Sequence, residues 1–132
     1  MKQDIELHIP SGCDNAPRKQ ILIDFTLSLF TNNRSYLQEF SASDVLFTAI
    51  GRKTSYSGVE EMADAFQEYS NHLQRLDIET VLTHGKYASI NGRALLKDGY
   101  SLHFSDVYRF SNASKTGKVK NITSYQIEEN LI

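Results

Sequence analysis

The stretch "HFSDVYRF", residues 103–110, decides how the rest of the chain is read. Taken every second residue it yields Phe104, Asp106, Tyr108 and Phe110, side chains that share one face if the segment is a strand. Leu102 joins that face, and His103, Ser105, Val107 and Arg109 take the other. Rings and a leucine together belong in a core, so they carry the Asp106 carboxylate inward with them. Burial favours the neutral acid unless donors or cations offset it. Asp106 is therefore either a structural acid, held by a tyrosine or a backbone N–H, or a group with chemistry to perform. Neutral, it donates a hydrogen bond into a pocket; ionised, it acts as a base.

The segments around it share the same period. "LDIETVLTH" (76–84) puts Leu76, Ile78, Thr80, Leu82 and His84 on one side, and this side is expected inward because the other carries Asp77 and Glu79. "KYASINGRALLK" (86–97) and "VKNITSYQIEE" (119–129) alternate likewise. Asp98-Gly99 is a hairpin turn, and Asn91-Gly92, inside a long alternating run, predicts a bulge that bends the strand. The first half is helical. "CDNAPRKQILIDFTLSLFTNN" (13–33) offers Asp14 or Asn15 as the cap, Pro17 in the first turn, and Ile21, Leu22, Phe25 and Leu29 as a stripe. "RSYLQEF" (34–40) predicts a second helix. "SGVEEMADAFQEYSNHLQ" (57–74) predicts a third, with Ser57 and Glu60 at capping-box spacing and Val59, Met62, Ala63, Phe66, Tyr69 and Leu73 buried. Between them "DVLFTAIG" (44–51) reads as a strand, and "IELHI" (5–9) as an edge strand in an N-terminal arm, residues 1–13. Helices followed by long antiparallel strands make an α+β fold in one domain, residues 1–132.

Composition excludes several functions. A 132-residue chain with 40 % hydrophobic and 23 % charged residues and a net charge of −2 has no nucleic-acid footprint. One cysteine, Cys13, cannot form an internal disulfide, and "MKQDIELHIP" has no apolar leader stretch, so a cytoplasmic location is expected and no membrane association. The four histidines are too widely spaced for a metal site, and no phosphate loop, dinucleotide fingerprint or nucleophile elbow is present, so no cofactor is expected.

The order of elements, with "SYSGVEEMADAF" (55–66), "SDVYRF" (105–110) and "GKVKNITSYQI" (117–127), resembles the nuclear transport factor 2-like superfamily. Within it the likeness is to the SnoaL-like group, which includes polyketide cyclases and ketosteroid isomerases. The resemblance implies a cone-shaped fold, three N-terminal helices packed on a curved, mainly antiparallel sheet. It also implies a pocket on the concave side and a homodimer through the outer face. Asp106 matches the oxyanion-hole acid of the isomerases, a neutral carboxyl that is the standard example of a raised pKa. The isomerases' first-helix tyrosine falls at Phe25, and their general base falls at Thr48 or Ala49; neither position here bears the required group. His84 is then the remaining candidate base. The SnoaL-like cyclases rely on an inward acid, which Asp106 alone, or with His84, would supply.

Three functions follow as expectations. The first is a module binding a small, largely apolar or aromatic ligand in a pocket lined by Phe25, Phe47, Phe66, Phe104, Tyr108 and Tyr125, with Asp106 orienting it. The second is an acid/base enzyme using Asp106 and His84, with Tyr108 or Tyr125 stabilising negative charge. The third is an interaction protein whose outer sheet face, with Ser105, Val107 and Ile122, buries a two-fold contact.

Overall fold

The structure, a computed structural model, describes residues 5–11 and 16–130. Cys13 and the expected caps Asp14 and Asn15 lie outside the described residues. Helix α1 (Pro17–Thr31) starts with proline in its first turn, where the missing N–H costs nothing, and ends at Asn32 in a left-handed conformation. The Asn32 amide then donates to the Ala63 carbonyl at 2.7 Å, tying this corner to the third helix. Asn33 caps α2 (Arg34–Phe40) by accepting the Tyr36 N–H. Helix α3 (Gly58–Ala65) gives way at Phe66 to a single turn, α4 (Gln67–Ser70), where one continuous helix was expected. The break lets Phe66 and Tyr69 both pack on Phe30 of α1. The expected Ser57–Glu60 box is not formed; instead Glu61 accepts the Ser57 N–H at 2.9 Å.

The strands are β1 (Glu6–His8), β2 (Ser41–Ala49), β3 (Thr54–Ser57), β4 (Leu73–His84), β5 (Tyr87–Leu96), β6 (Tyr100–Phe110) and β7 (Val119–Asn130). They form one sheet in the order β1-β4-β5-β6-β7-β2-β3, antiparallel except for β1 with β4 and β2 with β7. The sheet is curved and unclosed, and the helices cover its concave face, so the chain is a mixed α+β fold as the alternation predicts. Strand β3, four mostly exposed polar residues at the sheet edge, has no apolar alternation by which to be recognised.

The bend at Asn91-Gly92 is present, but the extra residue sits on the partner strand. Ile78 pairs with Gly92 and Thr80 with Asn91, which leaves Glu79 unpaired on β4. A one-residue insertion exchanges the two faces of a strand beyond it. Before the bulge Leu76 and Ile78 are buried as expected; after it Val81 turns inward and Thr80, Leu82 and His84 turn outward. Leu82 is 59 % exposed. The bulge brings the β4 backbone so close that a Cβ on Gly92 would lie 2.0 Å from the Asp77 carbonyl oxygen.

Gly92→Ala is therefore expected to destabilise the fold by at least about 2 kcal/mol, because the obstacle is backbone that cannot swing aside. Thermal unfolding followed by circular dichroism should show a Tm lower by roughly 6–10 °C for a domain of this size.

Candidate functional site

Asp106 faces the concave side at the middle of β6, directly between Ile90 on β5 and Ser124 on β7. It is 3 % exposed. Its neighbour on β7 bonds it: the Ser124 hydroxyl donates to Asp106 Oδ1 at 2.6 Å. Burial pushes the Asp106 pKa up from 3.8 to about 7, against the smaller opposing effect of the serine donor. Two residues along the same face, the Tyr108 hydroxyl shares a buried hydrogen bond of 3.5 Å with Thr26 of α1. Burial, reinforced by the charge of Asp106, holds Tyr108 well above its usual range, so it stays a phenol.

The expected aromatic lining packs upon itself. Phe25, Phe47, Phe66, Phe104 and Tyr108 all face inward and all are buried. Phe25 meets Tyr108 edge-to-face with centroids 5.7 Å apart; Phe47 meets Phe66 likewise at 5.4 Å, and Phe30 contacts both Phe66 and Phe104. These contacts are the geometry in which rings gain stability beyond their buried area. The five rings are the core that closes the narrow part of the cone, and the open space lies elsewhere.

Besides a broad depression of about 450 Å³ on the outer face, lined by His103, Ser105, Tyr125 and Ile127 among others, two adjoining hollows lie at the wide end, on the concave side. The inner one, about 230 Å³, is lined by Ala49, Gly51, Arg52, Leu102, Ser124, Gln126 and Glu128. The outer one, about 290 Å³, lies between α4 and the ends of β5–β7, with Tyr69, His72, Leu96, Tyr100, Leu102 and Glu128 among its walls. Leu102 and Glu128 belong to both. Where they meet, three side chains join: the Arg52 guanidinium donates to the Tyr69 hydroxyl at 2.6 Å and to Glu128 Oε2 at 3.3 Å, and the tyrosine donates to the same carboxylate oxygen at 3.3 Å. Ser124 sits on the wall of the inner hollow, so the Asp106–Ser124 bond connects the buried acid to this space.

Two expected site residues are corrected. His84 pairs with Tyr87, which pairs with Arg109, on the face opposite Asp106; the β4 bulge has turned it outward, and the two do not share a cavity. Tyr125 pairs with Ser105 on that same outer face and is half exposed, because β7 keeps strict antiparallel register with β6 there. Ile122, expected on the outer face, pairs with Tyr108 and is buried. Of the residues that line the hollows, the sequence pattern does not single out Arg52, Ser124, Gln126 or Glu128, and it marks Tyr69 only as buried. A signal for three of them stands in "ITSYQIEE" (122–129): the inward positions run from Ile122 to Ser124, Gln126 and Glu128, turning polar where a dry core cannot continue. Among the described residues no three His, Cys, Asp or Glu side chains gather as a metal ion would require, and no helix is long and apolar enough to cross a membrane.

No protein-family model matches the sequence, and no curated protein sequence matches it. Solved structures do share its fold. A nuclear transport factor 2-like protein of unknown function from Burkholderia xenovorans superposes with a TM-score of 0.69 at 10 % identity, covering 87 % of this chain and 86 % of its own. A candidate SnoaL-like polyketide cyclase from Shewanella denitrificans gives 0.68 at 13 % identity, over 86 % and 92 %. A candidate ketosteroid isomerase from Kribbella flavida gives 0.68 at 17 % identity, over 88 % and 82 %. The chain has the nuclear transport factor 2-like fold of the SnoaL-like and ketosteroid isomerase-like proteins.

The raised pKa of Asp106 makes stability depend on pH in a definite direction. Between about 3.9, where an unfolded aspartate ionises, and about 7, the native state keeps a proton that the unfolded chain has released, so stability falls as pH rises across that window. Asp106→Asn carries no such proton. Its Tm should gain on the wild type by an amount equivalent to a few kcal/mol between about pH 4 and pH 8, measured by parallel melts in a buffer series.

Proposed function

We propose that this domain binds a small molecule in the two hollows at the wide end of the cone. The observation that carries this reading is the placement of the space: it lies on the concave side, half apolar through Leu102, Leu96 and Ala49, half polar through Arg52, Gln126, Glu128 and Ser124. Convergent polar groups beside an apolar patch are what fix the orientation of a small ligand in a concave site. The ligand's apolar body rests on Leu102 and Leu96, and its polar end meets the Arg52–Glu128 junction or the Ser124 hydroxyl. Phe47, Phe66 and Phe104 support this wall from behind.

A fragment screen by amide NMR tests it. Binders should perturb Ala49, Gly51, Leu102, Gln126 and Glu128 and should raise the Tm by preferring the native state. Ala49 lines the inner hollow but is only 4 % exposed, so Ala49→Leu fills the hollow at some cost in packing. It should lower the Tm by several degrees without unfolding the domain and weaken those binders by at least about tenfold. Perturbations spread over the outer face, or unaffected by Ala49→Leu, would count against the site.

A second reading, acid/base catalysis by Asp106, is favoured by one observation: the acid is poised near neutral pH and its partner Ser124 touches the inner hollow. With His84 on the far face, Asp106 would have to serve alone, and Asp106→Asn should then abolish turnover of any substrate the screen leads to.

The outer face supports self-association of this domain. Its rows place Leu82, Val107, Tyr125 and Ile127 in the open, all large and well exposed. A second copy laid on them by a two-fold axis would cover the same residues of both chains. Sedimentation at micromolar concentration should show a dimer, and Val107→Glu a monomer; a wild-type monomer would remove this part of the proposal.

A further inference from the structure

If the hollows bind a ligand as proposed above, their mouth also selects its chemical class. Two donors, the Arg52 guanidinium and the Tyr69 hydroxyl, converge on a single oxygen, Glu128 Oε2. They come from the β2–β3 turn and from α4, elements on different sides of the mouth, and they meet at the boundary between the inner and outer hollows. Burial keeps Tyr69 protonated, although Arg52 opposes it, so the hydroxyl remains a donor. The acceptor, by contrast, is weakly committed. Glu128 lies near the end of β7, its side chain is 60 % exposed, and both of its bonds are long. An exposed ion pair of this kind is worth only about 0–1 kcal/mol, so exchanging one carboxylate for another there costs little.

We propose that Arg52 and Tyr69 are the seat for the carboxylate of an amphipathic ligand, and that Glu128 fills this seat from within the chain until such a ligand displaces it. The planar guanidinium fork suits a carboxylate, and the inner hollow has no acid on its wall besides Glu128. Once Glu128 swings out to water, Arg52 is the one charge facing that hollow. The other acids of the mouth, Glu68 and Asp98, line only the outer hollow. They disfavour an anion there and so direct the charged end inward. The apolar body then lies against Leu102, the wall common to both spaces. Glu128 is thereby a competitor that sets how tightly a carboxylate must bind to open the mouth.

Three near-isosteric probes test the class directly: benzoate, benzamide and benzamidine, titrated by amide NMR into wild type, Glu128→Gln, Arg52→Gln and the double variant. Removing the internal competitor should tighten benzoate about threefold or more, and removing the seat should weaken it about tenfold or more, with benzamide little changed by either. The distinctive sign is a gain of affinity in Glu128→Gln that disappears when Arg52→Gln is added, since relief of the Glu128 charge alone would tighten benzoate in either background. Benzamidine binding best, and losing affinity in Glu128→Gln, would overturn the proposal in favour of a cation site. Benzamide matching benzoate in all four proteins would also overturn it while leaving the hollows as a ligand site. If none of the three shifts the hollow's amides, both the carboxylate seat and the ligand-binding reading are rejected for molecules of this size. Melting curves establish that each variant is folded, and if Arg52→Gln is not, a Glu128→Gln that fails to tighten benzoate still overturns the proposal.

Discussion

One unpaired residue on β4 shapes everything that faces the helices. Glu79 has no ladder position opposite it on β5, although the Asn91 amide donates to its carboxylate at 3.3 Å, and the backbone before it presses against Gly92 until no side chain fits there. A bulge concentrates twist and bend at one place, and here that place is midway along two long strands, so the sheet curves over α1 and α3. The curvature lets five aromatic rings meet in the narrow part while the far ends of β6 and β7 splay from α4. Core and hollow thus have a common geometric cause. The same insertion sorts the faces of β4: Leu76 and Ile78 reach the core on one side of it, Val81 on the other, and Leu82 and His84 are left outside.

Much of this was legible in the sequence. Period-two alternation places Leu102 to Phe110 correctly because β6 pairs without interruption from Tyr87 to Leu95 on one neighbour. Asn91-Gly92 marks the bend itself. What alternation cannot assign is which strand of a pair carries the extra residue, since a glycine opposite a bulge and a glycine inside one leave the same mark in the chain. His84 was lost to that ambiguity. Tyr125 was lost differently: its parity depends on where β7 begins its pairing, and Lys120 is itself skipped between the Arg109 and Phe110 partners.

The aromatic residues illustrate a second limit. Inward orientation follows from pattern, whereas the presence of space does not. Phe25, Phe47, Phe66, Phe104 and Tyr108 were read correctly as inward, yet whether rings line a void or fill it depends on how closely the helices approach. The break at Phe66 settles this by swinging Phe66 and Tyr69 onto Phe30. Interiors are packed as densely as crystals, and a cluster of complementary rings is more readily a core than a lining. The polar inward run of β7 was the better guide to open space, because uncompensated burial of Gln126 and Glu128 would have been costly.

Asp106 and Glu128 are both concave-face carboxylates of the same sheet, and they differ in what surrounds them. Among the described residues Asp106 has one hydroxyl donor and no cation beside it, so desolvation dominates and its proton is retained to near neutral pH. Glu128 has an arginine and a phenol as partners but is also well exposed, so its contacts are exchangeable. Charge that is cheap to move belongs at a mouth; charge that is expensive belongs where something must be held in place. The Ser124 hydroxyl links the two regimes, bonded to the inner acid and forming wall for the hollow that Glu128 borders. A polar group arriving at Ser124 would compete for the lone pairs and proton through which the serine holds Asp106. A ligand in the proposed site that reached this hydroxyl would therefore act on the ionisation of the buried acid through one oxygen atom.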